Sequence, residues 1–304
     1  MRREGPGHGQ RTVAQRRTLN YHARMKRPPL RDAAFISAFS AGLILTAAAG
    51  ASLVMLLLNP GLRQALSAAF VHPWWFVYLP GNGSAPMIWE IAGISALSVL
   101  ALASAVRARF HYMRSGSPLA LFLIIYFFTL CLECLRAPAA VVYASNGPVT
   151  AVLIMSRTVY GGRFAGELCL LTIGLYALDL KLKRYVVIMG IILLVTFAIA
   201  LYMPVDSTVF LSSLVFNLGD EQGTAFAVAI LAALTPLSLA GAGFRSKNRS
   251  FYTLAASTLL MIAGRQVMDF SSYGGVFAAG AAVFMVGTGI SLSVLGRYGV
   301  EERA

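Results

Sequence analysis

Eight apolar segments, most of them near 20 residues long, constrain this chain more than any other feature of its sequence. A helix needs roughly 20 apolar residues to cross the ~30 Å hydrocarbon core of a bilayer. We therefore predict an all-α protein: a polytopic transmembrane bundle of about eight helices, surrounded by the lipid bilayer. The segments are Ala33–Leu58, Pro86–Val106, Pro118–Leu135, Arg163–Leu180, Tyr185–Met203, Gly223–Phe244, Phe251–Met268 and Gly275–Leu295.

The composition agrees with a membrane protein. The chain is 58% hydrophobic and only 12% charged, whereas about a quarter of the residues in a soluble domain are charged. Turn-forming residues separate the segments, as in Asn59-Pro60-Gly61, Ser115-Gly116-Ser117 and Asn146-Gly147-Pro148. We predict a disordered basic tail over residues 1–32, a transmembrane domain over 33–296 and a short cytoplasmic tail over 297–304.

The basic residues predict the orientation of the bundle. The net charge is +13, and residues 1–32 hold nine Lys and Arg against two acids. We interpret this basic arm as a cytoplasmic tail held near anionic lipid, not as a nucleic-acid-binding segment. With that tail inside, the inner loops hold eleven basic residues and the outer loops hold only Arg63. Because basic residues mark the cytoplasmic side, both termini are predicted to be cytoplasmic, in a bacterial inner membrane.

Three stretches leave alternatives in this topology. The first apolar segment follows Lys26, Arg27 and Arg31 and resembles a signal peptide, whose cleavage would leave seven helices. Its length favours a retained membrane anchor. Residues 149–160 are either a re-entrant half-helix or the outer extension of helix 4. Residues 60–79 read as an interfacial element with aromatic side chains at the headgroup level, and residues 207–217 could also lie along the outer surface.

Ionisable residues inside the apolar segments point to one site. Such residues are costly in a bilayer, so they usually face the interior of a bundle or a water-filled cavity. Four of the eight segments carry them. They are Glu90, Glu133, Arg136, Arg163, Glu167, Arg265 and Asp269, and Arg157 lies just before one of the groups.

Helix geometry brings these charges to a common level. At ~1.5 Å per residue, each of the seven lies ~21–27 Å from the inner end of its predicted helix, in the outer third of the membrane. The pairs Glu133/Arg136, Arg163/Glu167 and Arg265/Asp269 are three or four residues apart, so each pair shares one helix face. With Glu90 and Arg157 the set has four acids and four bases and is formally neutral.

This layer has two interpretations. In the first, it is an outward-facing pocket in which the arginines bind a carboxylate or phosphate and the acids hold a cation or a proton. Glu90 is then the best candidate for a proton, because no basic residue lies within four positions of it. In the second interpretation, the charges pair with one another and fix how the helices pack.

No motif names a reaction. Phosphate loops, metalloprotease helices and serine-hydrolase elbows are missing from the sequence, and the three cysteines lack disulfide or zinc spacing. We expect no catalytic residue, no metal and no cofactor, although Cys131-x-x-Cys134 is a weak redox candidate. The first functional hypothesis is a permease component for a small charged or zwitterionic solute. The alternatives are a sensory module that acts through a protein partner, an intramembrane transferase, and an assembly subunit with a structural charge network.

Overall fold

The structure is a computed structural model, and it describes residues 29–69, 71, 85–178, 185–211, 213–219, 221–269 and 274–301. Most of them are helical. The helices are α1 (Pro29–Leu58), α2 (Pro60–Ala69), α3 (Ala85–Ser115), α4 (Pro118–Cys131), α5 (Arg136–Ala144), α6 (Val149–Ala177), α7 (Tyr185–Tyr202), α8 (Glu221–Ser246), α9 (Arg249–Asp269) and α10 (Gly274–Glu301). A 3-10 turn, Leu132–Leu135, joins α4 to α5, and two strands, β1 (Val205–Phe210) and β2 (Phe216–Leu218), lie between α7 and α8.

The chain divides into two units, Met1–Ala41 and Gly42–Ala304. In the described part of the first unit, Phe35 stacks on Phe39 along α1, with ring centroids 6.1 Å apart. The second unit holds the rest of α1 and every later element.

Five helical stretches of the described chain are long and apolar enough to cross a membrane. Large apolar side chains such as Ile44, Phe226 and Val286 stay exposed on them, as expected for contact with lipid. The all-α class is thus confirmed, and the structure is compatible with a membrane protein. The count of eight spans and the position of the termini stay predictions. The five stretches are Asp32–Leu58, Met87–Arg114, Pro118–Ala144, Gln222–Ser246 and Gly274–Leu295.

The predicted turns lie where the sequence placed them. Asn59 lies just before α2. Its Oδ1 accepts hydrogen bonds from the backbone N–H of Gly61 (3.1 Å) and Leu62 (3.3 Å), in the first turn of that helix. Gly116 adopts φ +69° and ends α3, a conformation that glycine reaches without steric cost. Asn146 adopts φ 54° after α5, and the next residue closes the helix end by donating its N–H to the Val142 carbonyl (2.8 Å).

The third predicted segment does not end at Leu135. The chain passes through the 3-10 turn and continues as α5 to Ala144, so the apolar span is Pro118–Ala144. Pro138 explains the local change of helix type, because it has no N–H and its ring crowds the carbonyl four residues earlier. The chain tightens just before this proline and then carries it in the first turn of α5, where proline is tolerated.

The fourth predicted segment begins earlier than expected. Residues 149–160 are the first part of α6, a continuous helix of 29 residues, so the extension and not the re-entrant half-helix is observed. Arg163 therefore lies near the middle of its helix and not at its end. The depth in the outer third was counted from the inner ends of the predicted helices, and it stays a prediction.

The segment expected along the outer surface forms a small antiparallel hairpin, in which Val205 pairs with Leu218 and Phe210 with Phe216. Its described tip residues from Ser213 to Val215 are buried. At its start, the Asp206 carboxylate accepts hydrogen bonds from the N–H (2.9 Å) and hydroxyl (2.6 Å) of Thr208. These bonds lower the pKa of Asp206, so the stabilisation they give is present at neutral pH and is lost as the pH falls through that lowered pKa.

Small residues let α9 and α10 approach closely. A Cβ added at Gly287 would lie 2.6 Å from the Ser257 carbonyl oxygen, and one at Gly264 would lie 2.5 Å from the Phe284 nitrogen. A Cβ at Gly289 would meet nothing within 4 Å. The hydroxyls of Ser257 and Ser291 also hydrogen-bond across this interface at 2.8 Å. Close backbone contact therefore holds this helix pair together.

Some predictions fall outside the described residues. They concern the basic tail up to residue 28, the aromatic stretch with Trp74 and Trp75, and the inner loop over residues 179–184. Within the described residues, α8 runs through Pro236 as one helix.

Candidate functional site

Glu133 is the centre of a buried ion-pair network. It lies on the 3-10 turn and faces arginines from three directions. Arg163 of α6 forms a forked pair with it, donating from Nε to Oε1 at 2.8 Å and from Nη2 to Oε2 at 2.9 Å. Arg136 donates to Oε2 at 3.4 Å, and Arg265 of α9 donates to Oε1 at 3.3 Å. One carboxylate thus joins three guanidinium groups.

Arg136 extends the network to α3 and to the hairpin. Its Nη2 donates to Oε1 of Glu90, the residue that has no basic neighbour in the sequence. Its Nε donates to the backbone carbonyl of Ser213, at the tip of the hairpin, at 2.7 Å. Its side chain is only 2% exposed. A single arginine therefore fixes the position of α3, the 3-10 turn and the hairpin tip relative to one another.

Arg265 extends the network in the other direction. Its Nη1 donates to Oε1 of Glu167 on α6 at 3.3 Å, so this arginine bridges Glu133 and Glu167. Oε2 of Glu167 is buried and has no hydrogen-bond partner among the described residues. Glu167 itself is 1% exposed.

The six charges contact one another instead of standing apart. Three carboxylates (Glu90, Glu133 and Glu167) meet three guanidinium groups (Arg136, Arg163 and Arg265), so the network is formally neutral. Five of these side chains are at most 6% exposed, and Arg163 is 18% exposed. Arg163 also lies over the ring of Tyr160, 5.6 Å from its centroid. Arg163 is consequently the member of the network that is most accessible to solvent.

Of the two remaining predicted members, Arg157 lies outside this neutral group, and Asp269 is not described at the side-chain level. Arg157 is half-buried on α6, and within the described part of the chain its Nε has no hydrogen-bond partner and no acid pairs with it. Asp269 ends α9, and its side chain lies outside the described part. Glu133 and Arg136 do touch, whereas Arg163 and Glu167 make their ion pairs with other elements.

The cysteines pack in the bundle interior. Cys131, Cys134 and Cys169 are free thiols, and all three are buried. Cys134 lies against α3, with its Sγ 3.9 Å from the Ile94 carbonyl oxygen. No group of three metal-ligating side chains occurs among the described residues. These contacts agree with packing, the commoner role of buried thiols.

Several residues that build the site were not identified in the sequence analysis. Gly166 lies against the network, since an added Cβ would be 2.8 Å from Thr129 Oγ1 and 3.6 Å from Arg265 Nη1. Gly162, one turn earlier, touches Leu132 in the same way. Gly162-Arg163-Phe164-Ala165-Gly166 is a pattern typical of close helix contacts in membranes, so this signal was available.

The hairpin is also fixed to α6 by polar contacts that the sequence did not indicate. Ser156 Oγ accepts a hydrogen bond from the backbone N–H of Phe216 at 3.1 Å, and the Tyr160 hydroxyl donates to the carbonyl of the same residue at 3.1 Å. Together with the bond from Arg136 to Ser213, these contacts hold the buried tip against the charged network.

Comparisons of the chain with protein-family models, with curated proteins and with solved structures found no match.

Proposed function

We propose that this chain is a multi-pass permease component, with eight transmembrane helices and cytoplasmic termini, that admits a small charged or zwitterionic solute. The observation that supports it best is the forked pair between Arg163 and Glu133. Buried charges within membrane helices are costly and commonly mark solute or ion pathways. In this proposal the network is the closed form of an outward-facing site.

The forked pair is where a solute would compete. Arg163 is the most exposed member of the network, and its guanidinium presents two parallel donors. A solute carboxylate has the same geometry as the Glu133 carboxylate and can replace it on Arg163. A solute ammonium group can then take the place of Arg163 on Glu133. A zwitterion therefore complements both halves of the opened pair.

Uptake into vesicles tests the proposal. The purified protein would be reconstituted and assayed with a panel of labelled zwitterionic amino acids and small carboxylates. We expect uptake of at least one of these solutes, reduced at least tenfold by Arg163→Ala and by Glu133→Gln. Arg249→Ala, which changes an exposed arginine at the start of α9, is the control and should transport like the parent. Equal transport by all three variants would contradict the proposal.

A second candidate has its own supporting observation, the mutual pairing of the six charges. An assembly subunit or a sensory module needs a bundle of defined geometry, and a neutral buried network can supply it without a ligand. Under this candidate, no solute would stabilise the purified protein, and removing one charge would lower its thermal stability without any transport defect to measure.

A further inference from the structure

Glu167 differs from the other two carboxylates of the network in how it is satisfied. Glu133 uses both oxygens, whereas Glu167 accepts a hydrogen bond from Arg265 through Oε1 at 3.3 Å. Its Oε2 is buried and has no donor among the described residues. An ionised carboxylate oxygen without a donor carries an uncompensated desolvation cost inside a protein. Something other than the described donors must compensate for it.

The surroundings of this oxygen favour a proton over a metal ion. A hard cation needs several oxygen ligands, and the described residues contain no group of three acidic, histidine or cysteine side chains. The Arg265 guanidinium beside the carboxyl would also repel a cation. A proton needs only the one oxygen, and it removes the buried charge.

The charged groups around Glu167 are few. Arg265 reaches it from α9, and Glu133 on the 3-10 turn lies beyond that arginine. On the side of α4, Tyr126 and Thr129 lie against the neighbouring Gly166. The sequence of α7 has no charged residue, and neither does that of α8 between Gln222 and Phe244. On α6 itself the nearby ionisable residues are Arg163 and Cys169.

Resting on the function proposed above, we propose that Glu167 binds the proton that is taken up together with a small anionic carboxylate. When the three acids are ionised, they balance the three arginines of the network. A proton on Glu167 leaves the network with one excess positive charge. In a low-dielectric site that excess favours an incoming anion, and Arg163 is the member through which it can enter. Proton and anion thus bind together and leave together.

Infrared difference spectroscopy tests the proton site directly. As the pH of the purified protein is lowered, a carbonyl stretching band of a protonated carboxylic acid should grow. It should be lost in Glu167→Gln and kept in Glu90→Gln, the matched change at another buried acid of the network. A band that persists in Glu167→Gln, or the absence of such a band from the parent, would overturn the assignment. Should Glu167→Gln not fold, Glu167→Asp keeps a titrating carboxyl and must shift the band.

Stabilisation by acetate tests the coupling. In the parent, the apparent affinity for acetate should weaken about tenfold for each unit of pH above the titration of Glu167, because one proton is linked to one anion. In Glu167→Gln, where the side chain stays neutral, the affinity should not change with pH. An affinity in the parent that is independent of pH would overturn the coupling.

Uptake measurements separate this inference from the permease proposal. If the protein shows the band and the linked acetate binding but transports no solute, the proton site is supported and the permease proposal is contradicted. If the protein transports a solute but shows no band, the permease proposal is supported and the proton site is contradicted.

Discussion

Glu133 accepts hydrogen bonds from three arginines, more than either of the other network acids in the described contacts. Glu133→Gln keeps the shape of the side chain but leaves the guanidinium groups with an excess of positive charge. Removing one partner of a buried ion pair costs about 3–5 kcal/mol, so we expect a large fall in stability or a loss of folded protein. Thermal unfolding in detergent would measure this change.

The control for this experiment is an arginine of the same bundle without a described ion pair. Arg157→Gln on α6 removes a half-buried charge from outside the network and should shift the unfolding temperature far less than Glu133→Gln. Equal shifts for the two variants would mean that the ion pairs do not stabilise the bundle.

Sequence spacing predicted only part of the network. The contact between Glu133 and Arg136 follows from their separation of three residues on one helix face. The pair between Glu90 and Arg136 joins residues 46 positions apart, and that between Glu133 and Arg265 joins residues 132 positions apart. Pairing over such distances depends on helix packing, which local spacing does not encode. The set of charged residues was therefore predictable, but their partners were not.

At the scale of elements, the contact between α9 and α10 depends on glycine. An added Cβ at Gly287 would collide with the backbone of α9, at 2.6 Å from the Ser257 carbonyl oxygen and 2.8 Å from the Met261 nitrogen. Since backbone cannot move aside cheaply, we expect Gly287→Ala to lower the unfolding temperature clearly.

Gly289 of the same helix is the matched control. Gly289→Ala meets nothing within 4 Å, and it should be neutral or raise stability by about 0.5–1 kcal/mol through the helix propensity of alanine. If Gly287→Ala and Gly289→Ala have the same unfolding temperature, the two helices do not approach each other as closely as described here.

The hairpin depends on α6 for the satisfaction of its buried backbone. Ser156→Ala removes the acceptor of the Phe216 N–H and leaves that group buried without its partner, at a cost of about 1–3 kcal/mol. We expect faster hydrogen exchange at the hairpin amides, measured by mass spectrometry. Thr158→Ala, at a half-buried position of the same helix whose hydroxyl bonds the Ile154 carbonyl, should leave this exchange unchanged. Unchanged exchange in Ser156→Ala would show that this bond does not hold the hairpin.

Element types were more predictable than element ends. Hydrophobic length was enough to place helices in all eight predicted segments. The end predicted at Leu135 was wrong because the chain passes Pro138 by changing helix type for one turn and then continues as α5. The helix predicted from Arg163 begins earlier, at Val149, because α6 runs through Gly161 and Gly162 without a break. In the structure Gly161 meets Ala200 of α7, and Gly162 meets Leu132.

At the scale of the whole molecule, the basic loops predict that the hairpin and the α8–α9 turn lie on opposite sides of the membrane. Single cysteines at Ser207 and Lys247, both exposed, would report this with a membrane-impermeant maleimide added to intact cells. We expect labelling at position 207 and none at 247. The native cysteines are buried and should react slowly in the parent, which is the control. Labelling at position 247 and none at 207 would contradict the predicted orientation and indicate the opposite one.

The one turn of 3-10 helix between α4 and α5 changes the direction in which the side chains of α5 face. A 3-10 helix advances ~120° per residue and an α-helix ~100°, so the four residues Leu132–Leu135 add a phase difference of roughly 80°. Every side chain of α5 is thereby turned by nearly a quarter of the helix circumference relative to a continuous α-helix. Because of this angular offset, α4 packs Tyr126 and Thr129 against Gly166 of α6, whereas α5 turns Arg136 towards Glu90 and the hairpin.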